Sequence, residues 1–195
     1  MGAIRDFFGD LLRRLFEPLT RAFQRLNITP NQITITGAAL NVVAAVLVAR
    51  EQLLIAGLVF VVASCFDMLD GALARLAQKI TPFGSFLDST LDRASEGAIL
   101  VAVAYLFARQ GHPVDVVFVM IALLGSLLVS YTRARAEALG LECKVGLMSR
   151  PERVVLIAIG LFFNVLPYVI YILAALTTLT VVQRVIHTYR ELRPR

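Results

Sequence analysis

The sequence predicts an all-α integral membrane protein, with six transmembrane helices behind an N-terminal amphipathic helix that lies in the interface. Composition is the first reason. Hydrophobic residues make up 58% of the 195-residue chain and charged residues 17%, against about 45–50% and about 25% in ordinary soluble domains. Segmentation is the second. Apolar residues gather near 31–49, 53–74, 84–108, 113–132, 151–166 and 167–187, and a span needs about 20 residues at about 1.5 Å rise each. Charge placement is the third, because the basic residues fall almost entirely on one side of these segments. Together they exclude disorder, a basic nucleic-acid tail and a typical soluble enzyme. The net charge of +5 then reads as loops facing anionic lipid, not as a nucleic-acid surface.

Residues 1–29 form the interfacial unit and 30–195 the transmembrane domain. In the first, Ile4, Phe7, Phe8, Leu11, Leu12, Leu15, Phe16, Leu19, Phe23 and Leu26 recur at three- and four-residue spacing, interleaved with Arg5, Arg13, Arg14, Arg21 and Arg25. That is an amphipathic helix, bent at Pro18, that lies on the membrane and does not cross it. Residues 27–32 read as a turn. The fifth and sixth segments are divided by Asn164 and Pro167 alone, which implies a helical hairpin.

Sixteen of the nineteen Lys and Arg residues share one side: those in 1–29, Arg75, Lys79, those in 133–153 and those in 184–195. Arg50 and Arg109 lie on the other, and Arg93 lies within a span. The positive-inside rule therefore puts both termini in the cytoplasm of a multi-pass protein of the cell membrane, and an even number of spans agrees. Cys65 and Cys143 are expected as free thiols. No cleavable signal peptide is expected.

The acids carry the chemistry. The apolar run Leu53–Phe66 covers only about 21 Å, so the second helix must continue through Asp67 and Asp70 to cross about 30 Å of hydrocarbon. The third begins near Gly84 and carries Asp88 and Asp92 in its first two turns. One helix descends to the cytoplasm and the next rises from it, so all four aspartates share a depth. At about 100° per residue, Asp67 and Asp70 lie about 60° apart and Asp88 and Asp92 about 40° apart, so the two faces can meet. Four carboxylates so close cannot all stay ionised without cations. Their hard oxygens select Mg²⁺, Mn²⁺ or Ca²⁺ over zinc. Gly71, Ala74 and Gly84 leave room against the backbone, and Arg75 is a bidentate donor suited to phosphate. That set describes a diphosphate site. A structural network with Arg75 and Arg93, or a proton or ion path, is the plainer reading of the same acids.

The pattern Asp67-x₂-Asp70-Gly71-x₂-Ala74-Arg75-x₈-Gly84-x₃-Asp88-x₃-Asp92 resembles the signature of the CDP-alcohol phosphatidyltransferases at eight fixed positions over 26 residues. The resemblance implies that an acceptor hydroxyl attacks the phosphorus next to the lipid in a CDP-lipid, CDP-diacylglycerol or its archaeal equivalent, and that CMP leaves. It implies that Asp67, Asp70 and Asp88 hold Mg²⁺ or Mn²⁺. Asp92 would act as general base and could also ligate metal. Gly71, Ala74, Arg75 and Gly84 would accommodate the CDP group. A homodimer is implied by the resemblance alone. An intramembrane prenyltransferase would carry its acids on more widely separated helices, without the Gly71, Ala74 and Arg75 set, and a non-enzymatic channel or transporter is a third reading.

A second, basic cluster bears on the acceptor. It comprises Ser130-Tyr-Thr-Arg133-Ala-Arg135-Ala-Glu137, then Ser149-Arg150-Pro151-Glu152-Arg153, then Gln183-Arg184. Ser149 and Glu152 are spaced as a capping box with Pro151 in the first turn. That start would present Arg150 and Arg153 at the positive end of the fifth helix, where an anionic acceptor is favoured. Positive-inside anchoring is the plainer reading of any single arginine. These stretches look like the branch that makes phosphatidylinositol phosphate or its archaeal ether-lipid equivalent. Carried over, Ser130, Arg133, Arg153 and Arg184 would hold the phosphate of inositol phosphate, although the position of Arg133 is often lysine in that branch. Glycerol 3-phosphate, as in phosphatidylglycerophosphate synthesis, is the alternative acceptor.

Overall fold

The computed structural model describes residues 28–76 and 81–193, with the side chains at 68, 70–72 and 74–76 outside that description. The interfacial helix expected over 1–29 falls almost entirely outside it. Six helices and no strand are found among the described residues: α1 (Pro30–Ala49), α2 (Leu53–Leu76), α3 (Pro82–Arg109), α4 (Pro113–Ala138), α5 (Arg150–Phe162) and α6 (Leu166–Leu192). The described part of the chain is therefore all-helical and of membrane type. Among its helices, α1, α4 and α6 are each long and apolar enough to cross a bilayer unaided.

The expected segments and the helices agree closely, and the differences have physical reasons. Each of α1, α3, α4, α5 and α6 carries a proline in its first turn, where the missing N–H is no loss. Thr29 caps α1 through a reciprocal box: Gln32 N–H donates to Thr29 Oγ1 at 3.4 Å, and Thr29 N–H donates to Gln32 Oε1 at 2.8 Å. The box expected at Ser149 does not form. The Ser149 side chain makes no bond to the helix backbone, and its hydroxyl instead donates to the Glu152 carboxylate. α4 and α6 run past the expected ends at 132 and 187, because helical hydrogen bonding continues after apolarity stops. α5 stops earlier than expected, at Phe162. Asn164 takes a left-handed conformation (φ 53°) to turn the chain into α6. At 13 residues, α5 is about 20 Å long, short of the full hydrocarbon thickness.

The main packing closes a ring: α1 lies on α2 and α3, α3 on α4, α4 on α6, α6 on α5, and α5 on α2. A core of residues from all six helices fills it, including Val48, Phe60, Leu100, Phe107, Val119, Ile157, Leu161, Ile170 and Leu173. A smaller cluster of Ile33, Leu69 and Leu73 packs α1 on α2 beside the aspartates. One close approach is indispensable. A Cβ on Gly125 of α4 would stand 2.2 Å from Thr177 Oγ1 of α6, so only glycine lets these two helices touch there.

Candidate active site

The α4–α5 connection sets the start of α5. Met148 N–H donates to Thr180 Oγ1 on α6 at 3.0 Å, and Arg184 Nε donates to the Val145 carbonyl at 3.0 Å. Gly146, at φ +123°, lets this loop lie on Thr180, where a Cβ would meet Cγ2 at 2.4 Å. With the loop fixed, Arg150 and Arg153 emerge one turn apart at the beginning of α5, facing α2 and α3.

Arg150 reaches the aspartates. Its Nη2 lies 2.6 Å from Asp67 Oδ2 on α2 and 2.6 Å from Asp92 Oδ1 on α3. Asp67 and Asp92 are thus brought to one level across two helices, as their spacing suggested. Asp88 is half-buried one turn before Asp92 on the same helix. Asp70, Gly71, Ala74 and Arg75 lie on α2, with side chains outside the described set. Arg93 donates to the Ser89 carbonyl of its own helix and lies near enough to Asp88 and Asp92 for its charge to reach them. Gly84 sits at the start of α3, where its N–H donates to Thr81 Oγ1 at 3.0 Å. A Cβ there would come within 3.1 Å of Asn31 Oδ1, so the residue also sets how α3 meets α1.

Arg153, expected at the acceptor, is buried at 1% exposure. It pairs with Glu96 as a fork, Nε to Oε1 at 2.6 Å and Nη2 to Oε2 at 2.7 Å. Arg184 is buried, and besides Val145 it donates to the Val129 carbonyl. Arg133 is exposed and pairs with Glu137 at 2.8 Å, while Ser130 is half-buried one turn earlier on α4. Arg184 lies near enough to Arg133 and Arg153 for their charges to reach it.

Several residues of the site escaped the sequence reading. Glu96 follows Asp92 by four residues, as Asp92 follows Asp88, so the acidic stripe on α3 continues one turn deeper and its spacing could have revealed it. Gly37 of α1 lets Asp67 pack, since a Cβ there would stand 2.9 Å from Asp67 Oδ1. Asn41 of α1 donates to the Gly37 carbonyl at 3.1 Å, and its Oδ1 is buried without a partner. A narrow cavity walled by Phe60, Val154 and Ile157 joins Asn41, Ser64 and Ser95 to Asp67, Asp92, Glu96 and Arg150. Nothing in the pattern of an apolar span marks Gly37 or Asn41 for this role.

The donor chemistry suits a hard divalent cation: carboxylate oxygens from two helices and no soft ligand. Among the described residues no three acids yet stand as a metal group. What occupies the position between Asp67 and Asp92 is a guanidinium nitrogen, which marks it as a place for positive charge.

A helical membrane protein with carboxylates and arginines gathered at one end of the bundle is built to handle a phosphorylated substrate beside lipid. The chain belongs to the CDP-alcohol phosphatidyltransferase family, whose family model matches residues 27–184. It is 36% identical over 182 residues to an archaetidylinositol phosphate synthase from Pyrococcus horikoshii, covering 93% of this chain and 94% of that one. Its fold is similar to the crystal structure of Mycobacterium tuberculosis phosphatidylinositol phosphate synthase with CDP-DAG bound, at TM-score 0.85 and 33% identity, covering 90% of this chain and 94% of that one. The same enzyme in complex with manganese and citrate matches at TM-score 0.82 and 33% identity, covering 89% and 88%.

Proposed function

We propose that this enzyme transfers a phosphatidyl-type group from a CDP-lipid to a hydroxyl of inositol phosphate and releases CMP, with Mg²⁺ or Mn²⁺ as cofactor. The observation that carries the reading is the meeting of Asp67 and Asp92 across α2 and α3, with arginines of α5 beside them. Family membership and similarity to inositol phosphate-using synthases support the same substrates.

Asp67, Asp70, Asp88 and Asp92 would hold the metals, which when bound neutralise the diphosphate and the charge that develops on leaving CMP. Gly71, Ala74, Arg75 and Gly84 would take the CDP group. Asp92 would accept the proton of the attacking hydroxyl. The new bond forms between that oxygen and the lipid-side phosphorus, and the bond from this phosphorus to CMP breaks. Ser130, Arg133 and Arg184 would receive the acceptor's phosphate, with Arg153 behind them, buried and held by Glu96. In the bilayer, the six helices would be embedded with the aspartates near the cytoplasmic face, both termini cytoplasmic, an interfacial helix over 1–29, and a homodimer as the assembly. The short α5 would enter from the cytoplasmic side and turn back through α6 before reaching full depth.

An acceptor panel in liposomes with labelled CMP release tests the proposal. Inositol phosphate should support release far better than free inositol. Glycerol 3-phosphate as the clearly better acceptor would retain the chemistry and reassign the enzyme to phosphatidylglycerophosphate synthesis.

A further inference from the structure

Two arginines leave the same end of α5, and they hold their carboxylates differently. Arg153 uses two nitrogens on the two oxygens of one carboxylate, the arrangement for which a guanidinium is shaped. Arg150 uses one nitrogen, Nη2, for two carboxylates on different helices. That is the manner of a point charge, and it leaves Arg150 Nε buried with no partner. The guanidinium therefore fits its position by charge and poorly by shape. Arg153 is sealed in, whereas the Arg150 side chain is 32% exposed and has a way out toward water. Arg93 of α3 gives its Nη1 to its own backbone and acts on Asp92 more weakly than Arg150 does. Arg150 is thus the cation in direct contact with both Asp67 and Asp92.

We infer that Arg150 is an exchangeable internal counter-ion, standing between Asp67 and Asp92 in the metal-free enzyme and leaving when a divalent cation takes that place. The inference rests on the aspartates being the metal site. Two carboxylates facing each other across α2 and α3 need positive charge whether or not metal is present. A guanidinium and a divalent cation repel each other and compete for the same oxygens. The ring of helices then stays closed in both states, and the acids are never left unpaired. The freed guanidinium lies at the mouth of the site, where substrate phosphoryl groups arrive.

The test is Mn²⁺ binding to the purified full-length protein in detergent, without substrate, read from the loss of the free-ion electron paramagnetic resonance signal. Arg150→Gln removes the competitor, so it should bind Mn²⁺ about tenfold or more tightly than wild type, or about 1.4 kcal/mol. Its metal-free form should also melt lower and gain more on Mn²⁺ addition. Arg150→Lys, which keeps the charge, should bind close to wild type. Asp67→Asn should weaken binding in either background. Equal or weaker Mn²⁺ binding by Arg150→Gln, with Asp67→Asn still weakening it, overturns the exchange and leaves the metal site standing. Binding that is indifferent to Asp67→Asn overturns both.

Discussion

The beginning of α5 and the rest of the ring use opposite means to hold helices together. Away from the start of α5, contact is close and uncharged, as where Gly125 meets Thr177 in the middle of the bundle or where Gly160 takes Leu166 and Val169 against its Cα. At that start, α2, α3 and α5 are joined by charge, through Arg150 on Asp67 and Asp92 and Arg153 on Glu96. Close packing gives a rigid frame with one geometry. Ionic contacts at the start of α5 give groups that can change partners. The Arg153–Glu96 pair stands on the boundary: ionic in kind, but buried and complete like the frame.

This contrast can be broken first at the acids. Asp67→Asn and Asp88→Asn should each abolish CMP release while the protein still elutes as a folded species in detergent, because each removes a negative ligand that a hard cation needs. Near-normal turnover in either would remove the aspartates from the chemistry. Asp92→Asn separates base from ligand. It should lower turnover by about 10²–10⁴-fold while binding of the CDP-lipid falls much less. A parallel fall in both would make Asp92 chiefly a metal ligand.

The boundary pair is sharpened by stability. Glu96→Ala leaves the Arg153 guanidinium buried and unpaired, a change that destabilises by about 3–5 kcal/mol. The double change Glu96→Leu with Arg153→Met should recover most of the lost thermal stability. If the single variant melts like wild type, the pair is not part of the frame. The smallest effect is expected at the exposed Arg133, which already shares its charge with Glu137. Arg133→Gln should raise the acceptor KM by roughly tenfold, the loss of one charge-assisted hydrogen bond, with little change in the KM for the CDP-lipid.

Much of this was legible in the sequence because the bilayer and the helix each impose one length scale. Apolar runs marked all six helices, and the spacing of Asp67, Asp88 and Asp92 placed them on facing surfaces. The misses follow from what those signals measure. Apolarity reports the membrane and not the helix, so the polar ends of α4 and α6 were cut short. Asn164 and Pro167 told of a turn, but not that the turn would leave α5 with only 13 residues. The reach of Arg150 to Asp67 spans 83 positions, and it depends on a loop pinned to α6 by Thr180 and Gly146. No local pattern encodes that. Gly37 and Asn41 look like ordinary members of an apolar span until α2 is packed against them.

The proposed function has Asp67, Asp88 and Asp92 close on one cation across α2 and α3. Crystals grown with Mn²⁺ and measured at the manganese absorption edge test it directly. Anomalous density should appear among these three carboxylates, with oxygen ligands and no arginine nitrogen in contact. An anomalous peak elsewhere in the bundle, or none beside these acids at saturating Mn²⁺, would contradict it.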